Sequence, residues 1–308
     1  MKAKIFFFAA AASVMMAACS SDETTTEQTM TLNLTTKNVV AETRSAAQDL
    51  QLTQFANGQS VGIFLAEDVN GTATLTGTDV TSYTQPLSYT ADGAGNLANE
   101  QTWPADGNGL FIYGIYPANA ATAYNATGVE FTVQANQSTD ANYMASDLMT
   151  GAPTANPVAR VSTPVALTFT HLLTKVNINL TAGTGFTAAD LATATVSILG
   201  LKPTTTFSVQ STTVGTPSGT ATDIIAGTGT VTSAIIVPSQ SVAAGTNFIK
   251  VSCAGGDYIY QMGTATTFGA SSVYTYNLTV NKTGITLSTA SITAWTSIGT
   301  VSGVAELQ

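Results

Sequence analysis

The chain has 308 residues, 44% of them apolar and only 9% charged, which is ample material for hydrophobic cores and argues against disorder throughout. Its 55 threonines and 26 glycines, with few of the charged residues that helices use, favour strands and turns. A net charge of −9 opposes binding to nucleic acid or an anionic membrane surface, and one histidine with two cysteines excludes most metal and nucleophile chemistry.

The N-terminus reads as an export signal. Lys2 and Lys4 precede a fourteen-residue apolar run, Ile5 to Ala18, which has the charge order of a secretory signal and falls short of the roughly 20 residues a membrane-spanning helix needs. The run closes with Met16-Ala17-Ala18-Cys19, small residues directly before a cysteine, which resembles a bacterial lipobox. Residues 1–18 are therefore predicted to be removed and Cys19 to carry lipid, palmitate included; an ordinary signal peptide with a fortuitous cysteine is the alternative. Ser20-Ser21-Asp22-Glu23 is similar to the acidic tract that follows the lipid site of surface-exported lipoproteins. With Cys19 lipidated, Cys253 has no intrachain partner, and stability must come from burial.

Residues 20–29 hold no apolar side chain and read as a tether. Met30, Leu32 and Leu34 then alternate with Thr31, Asn33 and Thr35, the period of a strand with one buried face. Downstream lies Arg44-Ser45, in a run of polar and small residues accessible to a protease, and Arg44 is the only arginine before Arg160. From Val61 onward, short apolar runs such as 61–65, 110–116 and 129–133 alternate with turn signals at 68–71, 92–96 and 106–109, where glycine and asparagine supply positive φ. A proline-bearing stretch, 150–164, marks a predicted domain boundary at about residue 160. Strands follow at 165–171, 176–180, 195–201, 234–237, 248–253, 258–262 and 273–280, with one short helix predicted over Ala188–Ala194 behind Thr187 as cap. Short strands without intervening helices indicate a β-sandwich or barrel in each half.

Candidate chemistry is sparse. His171, on an alternating strand, reads as a structural histidine, and no Gly-x-Ser-x-Gly elbow accompanies it. The carboxylate pairs Glu67/Asp68 and Asp140/Asp147 match neither glycosidase geometry, and the Asp-Gly-Asn turns lack the closing glutamate of a calcium loop. No catalytic, metal or cofactor residue is assigned. Tyr83, Tyr89, Trp103, Tyr113 and Tyr116 are candidates for sugar contact, with core packing the plainer reading, and Trp295 is expected to anchor the C-terminal segment against a sheet.

Several strings together resemble the fimbrillin family, the subunits of type V pili: the lipobox ending at Cys19, the strand before Arg44, Tyr143 to Met149, Leu167 to Val176, Tyr274 to Lys282, and Ile292 to Trp295. The resemblance implies an all-β chain of two transthyretin-like β-sandwich domains in tandem. Here these are residues 45–160 and 161–308, behind a signal (1–18) and a tether with cleavable strand (19–44). It also implies passage through the lipoprotein export machinery to the outer membrane, trimming at Arg44 and Ser45 by an arginine-specific surface protease, and polymerisation with copies of itself or related pilins. In that scheme the strand with Met30, Leu32 and Leu34 is removed, and a donor segment drawn from Ile285, Leu287, Ile292, Val301, Val304 and Leu307 replaces it in a neighbour. A lipid-retaining anchor or a tip subunit are related readings. A monomeric surface lipoprotein that binds glycans or another host or bacterial surface ligand is the alternative.

Overall fold

The computed structural model describes residues 29–37, 55–71, 86–123, 127–253 and 255–295, which form nineteen strands and two short helices. The first half contributes β1 (Leu34–Lys37), β2 (Ser60–Asp68), β3 (Leu87–Ala91), β4 (Asn96–Ala98), β5 (Gly109–Tyr116), β6 (Val129–Thr132), α1 (Asp140–Ala145), β7 (Met149–Ala152) and β8 (Val165–His171). Seven of these strands pair in the closed order β1-β4-β3-β2-β5-β7-β8, every neighbour antiparallel except β8 and β1, which run parallel. Of the two architectures that the strand pattern leaves open for this half, the pairing is the barrel. It differs from the two facing sheets that the resemblance implies, because β1 bridges β4 to β8 and leaves no edge between them.

Turn chemistry and space inside the barrel explain its local form. Between β3 and β4 the Asp92 carboxylate accepts from the Ala94 and Asn96 amides at 2.7 and 3.0 Å and from the Asn96 side chain at 2.6 Å. Those bonds, the Asn96 side chain foremost, hold its pKa below the usual carboxylate value. The Phe169 ring occupies the interior at Gly114 and Gly151, which are register partners on β5 and β7. A Cβ at Gly114 would sit 2.3 Å from the end of that ring, so a side chain there displaces the core.

The second half holds β9 (Thr174–Ala182), α2 (Ala188–Leu191), β10 (Thr195–Leu201), β11 (Thr204–Phe207), β12 (Thr222–Thr228), β13 (Val231–Ile236), β14 (Ser241–Val242), β15 (Asn247–Cys253), β16 (Gly256–Gln261), β17 (Thr266–Thr267), β18 (Ser272–Asn281) and β19 (Gly284–Ala294). Two four-stranded sheets, β12-β10-β15-β16 and β13-β9-β18-β19, enclose one apolar core. Helix α2 begins where Thr187 is expected to cap it, with a reciprocal Thr187–Asp190 capping box, but ends at Leu191.

The pairing runs past residue 160, where the boundary is expected. β8 completes the barrel, so the ring extends to His171. Before that, the chain has already crossed over: β6 pairs with β11, Phe131 meets Phe207 edge-on at 6.4 Å, and the Gln137 side chain closes two 2.8 Å bonds with the backbone of Ile235. Residues 127–148 are thereby stitched to the second half although they precede β7 and β8. Phe64 and Ile115, on the barrel's outer face, join the same second core.

Strand β9 carries one amine into the interior. Lys175, in register with Ile235 and Val273, is buried, and burial pulls its pKa from 10.5 down to about 7. Between those two values the unfolded chain binds a proton at this residue that the fold does not, so the contribution of Lys175 to stability rises as pH climbs from about 7 to 10.5 and is flat below. The full shift corresponds to up to about 5 kcal/mol. Lys175→Met is expected to raise the unfolding temperature at neutral pH and to flatten that slope; denaturant titrations at pH 7 and pH 10 check it, and an unchanged slope would contradict the assignment.

Candidate functional site: the barrel-closing strand

Residues 31–36 alternate exposed and buried as the sequence predicts, with Leu32 and Leu34 at 1% and 2% exposure and Thr36 also buried. Both leucines enter the barrel core beside Leu97, Trp103, Val165 and Leu167, and Met30 packs partly against it. Both edges of the segment are hydrogen-bonded. On the β4 side Leu32 donates to Gln101 at 2.8 Å, Thr36 to Gly95 at 2.7 Å, and Trp103 to Met30 at 2.9 Å. On the β8 side Val165 donates to Asn33 at 2.9 Å, and Leu34 through Lys37 run in parallel register with Val165 through Thr168.

Two forces therefore hold this strand. Burial of the two leucines contributes about 1.5–3 kcal/mol each, and the paired edges satisfy backbone groups of β4 and β8 that would otherwise face a dry slot. Taking the strand away leaves a groove with a defined polarity: an occupant runs parallel to β8 and antiparallel to β4, with apolar side chains two residues apart. Arg44 and Ser45 follow β1 in the chain and, with Cys19, lie outside the described residues.

Toward the other end of the chain, β19 forms the outer strand of its sheet and, among the described residues, pairs with β18 only. Ile285 and Leu287 face Val280 and Leu278 across that ladder, and Ile292 faces Tyr274. Unlike β1, β19 is little covered: Leu287 is 40% and Ile292 63% exposed, and Ile285 is half-buried. Val301, Val304 and Leu307 lie outside the described residues. The structure thus brings Met30, Leu32 and Leu34 together in one core and places the described donor candidates on a separate sheet.

Directly after β19, Trp295 is buried and stacks on His171, with ring centres 3.8 Å apart and planes 12° from parallel. His171, the last residue of β8, holds Asp147 through Nδ1 at 2.7 Å. Ser271 links the group: its hydroxyl donates to the His171 carbonyl, and its own carbonyl accepts from the Trp295 amide at 2.6 Å. Trp295 anchors the C-terminal segment, as expected, but the histidine under it has no sequence signal, because Asp147, His171 and Trp295 are far apart in the chain. Among the described residues, neither His171 Nε2 nor Trp295 Nε1 has a hydrogen-bond partner, and the stacked rings form a packed clasp.

The other candidate residues distribute simply. Tyr89, Trp103 and Tyr116 lie in the barrel core, Tyr113 lines an open cleft, and Tyr83 is outside the described residues. Cys253 is half-buried, and burial, reinforced by Asp190 and Asp257, pushes its thiol pKa up, away from reactive thiolate. Among the described residues no three His, Cys, Asp or Glu side chains cluster as a metal site.

A sequence profile described as fimbrillin-like matches residues 43–295. A protein named as fimbrium subunit Fim1C, from Bacteroides uniformis, is 30% identical over 250 residues, covering 78% of this chain and 78% of its own. A solved cell adhesion protein from Bacteroides uniformis is similar with a TM-score of 0.63 at 24% identity, over 88% of this chain and 99% of the other. Another, from Bacteroides ovatus, has a TM-score of 0.62 at 18% identity, over 87% and 98%. Both share the fold of this chain.

Proposed function

Because the chain belongs to the fimbrillin-like family, we propose that it is a structural subunit of a surface fimbrium in which β1 is a placeholder, removed by proteolysis and replaced by a strand of the next copy. The observation that supports this most is β1 itself: two fully buried leucines and hydrogen bonds along both edges, in a segment that precedes Arg44. In this reading Cys19 holds the exported precursor at the outer membrane by its lipid. An arginine-specific protease then cuts between Arg44 and Ser45, and the emptied slot accepts a donor. The second half's two sheets are the transthyretin-like sandwich, and the barrel is its counterpart, closed by β1.

In this reading, side-chain spacing favours some of the donor candidates over others. Ile285 and Leu287 are spaced like Leu32 and Leu34, two apart, whereas Val301, Val304 and Leu307 are three apart and put successive side chains on opposite faces of a strand. We therefore propose β19 as the donor, with Ile285 and Leu287 as the residues that would fill the groove. Because β19 is exposed on both faces, leaving its sheet forfeits main-chain pairing with β18 but little apolar burial. A head-to-tail contact of this kind generates an open fibre.

Sequencing the N-terminus of chains recovered from surface fibres tests the reading. Ser45 is expected, Arg44→Ala is expected to accumulate as unpolymerised lipoprotein, and a fibre-borne chain still beginning at Cys19 overturns it. Deleting 284–308 is expected to abolish fibres and deleting 296–308 to leave them; loss of fibres in both moves the donor into the tail. A glycan-binding surface lipoprotein is the second reading, favoured by Tyr113 at an open cleft, and it predicts indifference to Arg44→Ala.

A further inference from the structure

We propose that the cleft between the barrel wall and the loop at residues 209–212 binds a neutral saccharide. The cavity measures about 300 Å³ and opens where the outer faces of β5, β7 and β8 meet the second half, a size and a position typical of small-molecule sites.

Its chemistry is mixed in a specific way. Thr168 and Thr170 project from β8 into the cleft beside Thr150 on β7, Thr170 and Thr150 being direct register partners. Tyr113, half-buried on β5, supplies an aromatic wall, and Pro153 an apolar rim. Among the described residues no carboxylate, amine or imidazole lines the cavity, in a chain whose net charge is −9. Phosphate or carboxylate ligands would find no counter-charge there. A purely apolar ligand would cover hydroxyls without pairing them. An extended peptide would meet strand faces, where the ladder bonds are already made, and not a free edge. A sugar ring fits both walls: its C–H face packs against an aromatic ring and its hydroxyls exchange hydrogen bonds with threonines.

The site is also formed in advance. The Thr150 hydroxyl donates to the Ser211 carbonyl at 2.8 Å, tying the loop to the barrel wall, and the loop is braced internally by Ser211 donating to Ser208 at 3.0 Å. Thr168 and Thr170 are half-buried and line the cleft, so their hydroxyls are the groups a ligand would engage. Both lie on β8, which the placeholder strand pairs with along its other edge, yet their side chains point away from the slot. Binding at the cleft goes beyond the fimbrial reading, sharing with it only exposure at the cell surface, and strand exchange does not require it.

Saturation-transfer difference NMR on the whole protein, with glucose, galactose, mannose and N-acetylglucosamine as probes, tests the assignment. At least one probe is expected to receive saturation, most strongly at its ring C–H protons. The double variant Thr168→Val with Thr170→Val keeps the branched shape of both residues and is expected to weaken binding about tenfold or more, the loss of one to two hydrogen bonds, with an unchanged melting temperature. Tyr113→Leu is expected to weaken it as well. No transfer to any probe, equal transfer in the threonine variant, or stronger binding of the acidic sugar N-acetylneuraminic acid overturns the proposal. Fibre assembly by the same threonine variant is expected to be normal, so the outcome at the cleft and the outcome of the Arg44 experiment stand apart.

Discussion

Leu34→Ala is expected to destabilise the full precursor by about 2–5 kcal/mol, and Leu32→Ala by a similar amount, the range for buried leucines whose removal leaves a cavity. Both side chains are essentially inaccessible and share their core with Trp103, Leu97 and Val165. The intervening Asn33 is exposed and its role is carried by its main-chain carbonyl, so Asn33→Ala is expected to change stability by no more than about 0.5 kcal/mol. Since whole domains are stable by only about 5–15 kcal/mol, either leucine variant puts barrel closure at risk. Urea titration of the three variants checks the alternation directly. Equal effects at positions 33 and 34 would mean that the strand does not seat as described. The consequence for assembly has a sign: a weaker placeholder leaves more easily, so once Arg44 is cut the leucine variants are expected to exchange strands faster than the parent.

The strand was legible because its signal is local. Met30-Thr31-Leu32-Asn33-Leu34 states its period in five residues, and one face of it is buried while the other meets solvent. Strands buried on both faces carry less information: β2 reads as an apolar run from Val61 to Leu65 because Ile63 faces the barrel interior while Phe64 faces the second core. Turn residues were equally direct, since Asp92, Gly93 and Gly95 do within a few residues what their types suggest.

Long-range closure was not legible. That β1 pairs parallel to β8, some 130 residues on in the chain, follows from where the barrel needs its last partner and leaves no mark in either segment. The prolines at 153, 157 and 164, on which the expected boundary at about 160 rests, mark an irregular connection, and past it the chain adds β8 to the barrel. Helix α1 is short and polar at its start, and its cap, Thr139 accepting from Asn142, is an ordinary Ser/Thr turn until Tyr143 is seen to be buried. Likewise the donor candidates look alike in sequence, as apolar residues in a threonine-rich tail. The preference proposed for Ile285 and Leu287 over Val301, Val304 and Leu307 rests on the two-residue spacing of Leu32 and Leu34 in β1.

Trp295→Ala is expected to destabilise the chain by about 3–5 kcal/mol, as for a fully buried tryptophan, and to do so unevenly. Trp295 closes the far end of β19, stacked on His171 and tied to Ser271, while most of the strand before it is exposed and its ladder runs along β18. Removing the indole takes away the last apolar contact that fixes the strand's end, so amide exchange is expected to accelerate over residues 284–294 well before it does in β2 or β5. A general loss of stability would raise exchange everywhere together, which is the result that would dismiss the clasp. Trp295→Phe keeps a ring over His171 and is expected to restore most of the protection. With the donor assigned to β19, the alanine variant is also expected to polymerise faster after cleavage at Arg44, because a strand that must leave its own sheet before entering a neighbour's is released sooner when its anchor is gone. β8 is thus held at two places, with β1 paired along its edge and Trp295 packed on its final residue, so under the proposed strand exchange the same strand would border both the emptied slot and the anchor of β19.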